Sequence, residues 1–422
     1  MIQIPFERYA LDNGLRVVLS QEPRTPVVAV NLWYNVGSRN ERAGRTGFAH
    51  LFEHMMFQGS RNVPDTAHFA FIEKAGGSLN GSTWLDRTNY YETLPAHYLE
   101  LALWLESDRM GFLLPAMTQE KLDNQRDVVK NERRWRVDNQ PYGDWDERLQ
   151  MLMYPPDHPY HHSVIGSMED LDAASLEDVE GFFRTYYAPN NAVLTVCGDF
   201  ERERAIELIE RYFGSVPAGP AIPEIPGRMA LEPVLGEEKR EVVQQDVSLA
   251  RTFVCYRIPP YGDPRFYVAD VAATILGTGK ASLLNRNLVL KQQTAQEVAA
   301  YAFPLVVGAS ILVALATVSE GVEVERLEAD LLSSIDALRT ISDDDVTRAV
   351  SLIEARHLTD LQRVDHRADV FSMMTTLFDD PNRVNTEIDR YRTVTSADVR
   401  EFANAFLGAD NRAVLTYVPK GG

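Results

Sequence analysis

Cysteine is almost absent: the chain of 422 residues holds only Cys197 and Cys255. Both stand in apolar, strand-like stretches, VLTVCGDF and RTFVCYRI, so they read as buried thiols and a disulfide framework is excluded. No apolar run approaches the roughly 20 residues that a membrane-crossing helix needs, so no membrane span is expected. The opening MIQIPFERYALDNG lacks both a basic n-region and an apolar h-region, so no secretory leader is read there. A cytoplasmic location is the expectation, or a periplasmic one if a leader has been removed. Positive charge is also short, with 42 Lys and Arg against 61 Asp and Glu, a formal net charge of −19. That balance excludes nucleic acid as a partner, because phosphates demand clustered basic residues. A phosphate-binding loop is missing as well. GTGKAS at 277–282 has glycines and a lysine without the required spacing, and reads as a turn before a helix.

What is present is a globular composition, 45% hydrophobic and 24% charged, over a length that implies more than one domain. An internal repeat organises it. SLEDVEGFFRTYYAPNNAVLTVCGD near the middle echoes TSADVREFANAFLGADNRAVLTYVP at the end. Val179 matches Val399, Phe182 matches Phe402, and AVLT recurs at 192–195 and 413–416. Each copy reads as a capped amphipathic helix, a turn with Asn or Asp, and a hydrophobic strand. A repeat half a chain long means duplicated domains and not a solenoid. The expected architecture is α+β: two homologous α/β-sandwich halves from an internal duplication. The boundaries fall at 1–216 for the first half, 217–240 for a linker rich in proline, glycine and charge, and 241–422 for the second half. VVQQDVSLARTFVCYRIPP near the start of the second half echoes VVAVNLWYNVGS in the first.

Histidine is scarce, nine in all, so a close grouping is informative. His50-Leu51-Phe52-Glu53-His54 lies in Thr46 to Gln58, a run without proline that is apolar at Phe48, Leu51, Phe52, Met55 and Met56. On a helix, positions three and four apart are neighbours, so His50 and His54 converge with Glu53 beside them. Two neutral imidazoles at that spacing can hold Zn²⁺, and the carboxylate can take a proton from water. The order H-x-x-E-H is the inverzincin signature. A third protein ligand is needed. The best candidate region is Thr118 to Val137, free of proline and glycine, with Thr118 able to cap its start. Within it Glu132 reads from spacing alone either as that ligand or as a surface carboxylate. The remaining histidines carry no such pattern. HPYHH at 158–162 is interrupted by Pro159, and adjacent His161 and His162 should point apart. His68, His97, His357 and His366 are isolated.

HLFEH followed by RDVVKNE resembles the pitrilysin and insulinase metallopeptidases, within them the short-chain subclass that includes the mitochondrial processing peptidase. The likeness extends over nearly the whole chain, through LDNGLRVVL, VVAVNLWYNVGSRNE, GGSLNGSTWLDRTNYYETLP and HPYHHSVIGSMEDL. The resemblance implies a zinc metallopeptidase holding one Zn²⁺ per chain on His50, His54 and Glu132, with Glu53 as general base. It implies that the two halves form half of a clamshell closing on peptide substrates. The other class it leaves open is a non-catalytic structural or peptide-binding subunit, since relatives serve as core proteins in a respiratory complex. One departure falls at Gln125, where the family often carries a second glutamate. Two helical turns before Glu132, its amide either orients a ligand or faces solvent. GGSLNGSTW at 76–84 suits strand addition of an extended peptide, with the family's strand asparagine on Asn80 and Gly81 beside it; a simple turn or bulge is the alternative. A second departure concerns an Arg/Tyr pair that the family carries in its second half. Its positions fall on Val289 and Gln296, after the small-residue stretch Ala281 to Leu284, unless a gap shifts the alignment, and the nearby Arg286 and Tyr301 do not reproduce its spacing. The expected partner is therefore a related subunit supplying that pair in a heterodimer, with a homodimer possible for the chain alone.

Overall fold

In the computed structural model, which describes residues 3–420, strand β3 (Val27–Tyr34) is buried along nearly its whole length. A strand whose residues are apolar on both faces must be covered on both. β3 lies inside a six-stranded sheet with β1 (Glu7–Ala10), β2 (Arg16–Gln21), β4 (Ser78–Thr83), β5 (Thr88–Pro95) and β6 (Ala192–Gly198), in the order β1-β2-β6-β3-β5-β4. The β2–β6 pairing is parallel and the others antiparallel. On one face Val28, Val30, Leu32 and Tyr34 of β3 enter a core with α1 (Phe48–Met55), α2 (Ala67–Lys74) and α3 (Leu99–Phe112). On the other face lies the helix Val364–Phe378. Its Asp369 Oδ1 accepts from Trp33 Nε1 at 2.8 Å and Asn89 Nδ2 at 3.0 Å, and Ser372 Oγ donates to Thr195 Oγ1 at 2.8 Å.

A second, five-stranded sheet contains β7 (Lys239–Gln245), β8 (Arg251–Ile258), β9 (Ala295–Ala302), β10 (Ser310–Val318) and β11 (Arg412–Pro419) in the order β7-β11-β8-β10-β9. Here β7–β11 is the parallel pair. The order and the position of the parallel pair repeat those of β2-β6-β3-β5-β4, so the chain is α+β with two homologous sheet-containing halves. The repeat holds in detail. Ser175 and Thr395 each begin a helix with a capping box, to Asp178 and Asp398. Asn191 and Asn411 each donate a side-chain N–H back to the carbonyl five residues earlier, at 2.9 and 2.7 Å.

The compact units cross the halves defined by the repeat. One comprises the chain up to Arg133, His162–Pro226 and Leu358–Thr386; the other comprises Arg134–His161, Gly227–His357 and the chain from Glu387 onward. Each half of the sequence thus lends a helical segment to the unit built mainly from the other. Cys197 and Cys255 are both free and buried, and burial pushes the Cys197 thiol up to about 12. No helix among the described residues is long and apolar enough to cross a membrane.

Candidate metal centre

α1 spans only two turns, and its register decides what it presents. Phe48, Ala49, Leu51, Phe52 and Met55 are buried in the core, which turns His50, Glu53 and His54 to the remaining face. The sequence run Thr46 to Gln58 is longer than the helix; Gly47, at φ +83°, starts it in a conformation that favours glycine. The second contributor is α4 (Gln119–Arg133), capped as expected by Thr118, whose Oγ1 accepts from Lys121 N at 3.3 Å. Beyond Arg133 the expected helix continues as a wider π-type turn, Arg134–Asp138. Leu122, Gln125 and Val129 form the buried stripe of α4, and Glu132 extends it by one turn. Gln125 is buried there, so the solvent-facing alternative does not hold.

The two helices bring His50, His54 and Glu132 together. Glu132 Oε2 lies 3.3 Å from His54 Nε2 and 3.7 Å from His50 Nε2, with the two imidazole rings 4.9 Å apart at 86°. One donor atom from each residue lies within 4.8 Å of the others. Donors about 2.0–2.1 Å from a tetrahedral zinc ion stand roughly 3.3–3.4 Å from one another. Two imidazole nitrogens and a carboxylate oxygen at these separations fit zinc by number, type and spacing.

Glu53, the fourth residue of the expected site, is not one of the three donors. Its Oε2 accepts from Thr83 Oγ1 of β4 at 2.6 Å, and burial raises the pKa of its carboxyl against the pull of that bond. β4 can run this close because residue 81 is glycine. A Cβ on Gly81 would lie 3.1 Å from Glu53 Cγ, 3.2 Å from its Oε1 and 3.2 Å from the Phe57 ring. β4 is also the edge of its sheet, paired on one side by β5. Asn80 is exposed on it, with its Oδ1 accepting from Gly81 N at 2.9 Å.

A second grouping escaped sequence reasoning. His68 of α2, Glu92 of β5 and Glu106 of α3 also place donor atoms within 4.8 Å, all deep in the core. Residues on three elements with unremarkable spacing carry no sequence signal. This grouping does not suit a divalent ion. Arg109, itself buried, already binds both carboxylate oxygens of Glu106. Burial and the neighbouring Glu106 push Glu92 well above the carboxylate range, while burial and Arg109 keep His68 neutral. One proton and one guanidinium therefore balance two carboxyl groups, and a dication would leave an uncompensated positive charge in the core.

Four of the other histidines have local settings. His158 is buried with Nδ1 accepting from Tyr160 N at 3.1 Å. His161 and His162 do point apart: His161 Nδ1 donates to Tyr154 O at 2.8 Å, while His162 Nε2 lies 3.1 Å from Glu41 Oε2. His366 is exposed. At the positions of the missing pair, Val289 is half-buried in the turn Asn285–Lys291 and Gln296 is exposed on β9. Arg286 lies 3.4 Å from Asp345, and Tyr301 packs against Phe303.

Comparison with known proteins shows the family and the fold. Residues 16–154 match the family described as Insulinase (Peptidase family M16), and residues 173–353 match that described as Peptidase M16 inactive domain. A Helicobacter pylori protein named zinc protease PqqE is 32% identical over 335 residues, 79% of this chain and 74% of its own length. The crystal structure of a protease from Helicobacter pylori superposes with a TM-score of 0.93 at 27% identity, covering 99% of this chain and 100% of that one. A Pseudomonas fluorescens structure described as a peptidase M16 inactive domain gives a TM-score of 0.86 at 17% identity over 99% of both chains, a likeness of fold.

Proposed function

Since the chain belongs to peptidase family M16, we propose that it is a zinc-dependent metallopeptidase acting on peptides or unfolded segments. The observation that carries the reading is the convergence of His50, His54 and Glu132 beside a separately tethered Glu53. His50, His54 and Glu132 would hold the ion, one per chain. When bound, zinc supplies a Lewis acid that acidifies water and polarises the scissile carbonyl. Glu53 takes the proton from the attacking water and hands it to the leaving amine. Thr83 aims its carboxylate, and buried Gln125 stands behind the α4 donor as a supporting amide. The substrate lies along the free edge of β4 as an added strand, with Asn80 and Gly81 beneath the scissile region.

The chain completes its site with a partner. Val289 and Gln296 stand where an Arg/Tyr pair is expected; valine has no donor for a developing oxyanion, and the glutamine amide lacks the charge of a guanidinium. A related subunit supplies the pair in a heterodimer, with a homodimer open to the chain when it is alone. The inactive-domain match over 173–353 favours a second reading, a non-catalytic structural or peptide-binding subunit. Zinc content together with cleavage of a quenched peptide, by the chain alone and with a related subunit encoded beside it, separates the readings. Bound zinc with cleavage that rises on adding the subunit is expected. Full activity alone sinks the heterodimer, and no cleavage in either mixture sinks the peptidase.

A further inference from the structure

The stretch His162–Ala174, which the chemistry above leaves unused, is bonded to both helices that carry the metal donors. Its first attachment is at the start of α1. Gly47 offers no side chain to cap that helix, and the cap comes from buried Glu41, whose Oε2 accepts from Gly47 N at 2.9 Å and Oε1 from Ala49 N at 2.7 Å. His162 Nε2 lies 3.1 Å from the same Oε2 and braces the carboxylate from behind. Asp170 Oδ2 accepts from Thr46 N at 2.9 Å and Thr46 Oγ1 at 2.5 Å. Between these bonds the two backbones touch: a Cβ on Gly166 would lie 2.4 Å from both Cα and N of Gly47.

The second attachment runs along α4. Arg126 Nη2 donates to Ala174 O at 2.5 Å, Lys130 Nζ to Asp172 Oδ1 at 2.6 Å, and Arg133 Nη1 to Gly166 O at 2.8 Å. These three residues share one helical face, and Arg133 directly follows Glu132. One segment therefore fixes the start of α1, at Thr46 and Gly47 just ahead of Phe48, and the end of α4 beside Glu132.

Building on the zinc reading, we propose that Glu41 and His162 are positioning residues for the metal centre. They lock the first turn of α1 against the 162–174 segment and so hold His50 and His54 opposite Glu132. Without the cap, the first turn of a two-turn helix frays, and His50 leaves its place before His54 does. Groups that orient metal ligands without touching the metal typically contribute about 10–100-fold in affinity.

The test is zinc affinity by chelator competition on the full chain, with thermal melting as the check on folding. Kinetics of zinc-saturated enzyme follow. Glu41→Ala and His162→Leu should each weaken zinc by about 10–100-fold and lower kcat with little change in KM. His162→Gln, whose amide N–H can still donate to Glu41, should recover most of the loss. Folded Glu41→Ala with wild-type zinc affinity overturns the proposal. If Glu41→Ala does not fold, the His162 pair decides: equal, wild-type affinities in Leu and Gln overturn it, and loss in Leu with recovery in Gln supports it. Wild-type protein that binds no zinc overturns the metal reading and this inference with it; wild-type binding with unaltered variants overturns this inference alone.

Discussion

Thr83 Oγ1 donates a 2.6 Å hydrogen bond to Glu53 Oε2, tying a carboxylate on α1 to the edge strand β4. The bond holds the proposed base by the strand on which substrate would lie, so proton acceptor and peptide share one positioning element. Glu53→Gln preserves the volume and an oxygen for Thr83 but removes the proton acceptor. Zinc content should stay at the wild-type level while hydrolysis falls at least about a hundredfold. Retained cleavage in fully loaded Glu53→Gln protein rules out the assigned role.

Gly81→Ala tests the same junction from the strand side. The added methyl would stand 3.1 Å from Glu53 Cγ and 3.2 Å from Phe57, so the carboxylate must shift by a few tenths of an ångström. Misplacing a reacting group by 1 Å can cost on the order of a hundredfold, so a loss of about tenfold in kcat is expected. Zinc affinity should not change, because the atoms nearest the methyl belong to Glu53 and Phe57 and not to the three donors. Metal titration beside steady-state kinetics distinguishes this from general damage to the site.

The donor set itself is tested by removal. His50→Ala, His54→Ala and Glu132→Ala should each lower zinc occupancy measured by elemental analysis after dialysis. Glu132 is the informative position, since its 3.3 Å and 3.7 Å approaches to the imidazoles are what join α4 to the centre. A fully occupied Glu132→Ala protein would mean that the third ligand lies elsewhere.

His158 makes the protein sensitive to acid. Burial, then the nearby Arg257 charge, lowers its pKa to about 4 from the ordinary value of 6.5. The unfolded chain therefore binds a proton in a pH range where the folded one does not. The stability from the neutral buried ring is fully present above about pH 6.5 and drains away as pH falls toward about 4. His158→Asn keeps an acceptor for Tyr160 N but cannot titrate. Melting curves between pH 7 and 4.5 should show a shallower acid decline for this variant than for the wild type.

The features legible in the sequence are those carried by short periods or by repetition. Helical spacing puts His50 and His54 on one face without further help, and the AVLT repeat reveals the duplicated strand now seen as β6 and β11. Glu132 is ambiguous in the sequence because a lone carboxylate after Val129 has the same pattern whether its helix end meets solvent or another helix. Family resemblance, not spacing, points to it as the third ligand. His68, Glu92 and Glu106 gather only when α2, β5 and α3 pack, and the pairing of His162 with Glu41 spans two loops. Such contacts depend on tertiary geometry that no local period encodes. The apolar pattern of Val364–Phe378 likewise says that the helix is buried, but not against which sheet.

The lending of Leu358–Thr386 to the first unit has a consequence in time. During synthesis the strands β1 to β6 leave the ribosome long before the helix that covers Trp33, Asn89 and Thr195. The first sheet must wait, one face bare, until most of the chain exists. A fragment ending near Pro226 should therefore expose that face and aggregate. The same fragment co-expressed with a piece carrying Leu358–Thr386 should become more soluble, so the last third of the polypeptide acts as a chaperone for the part made first.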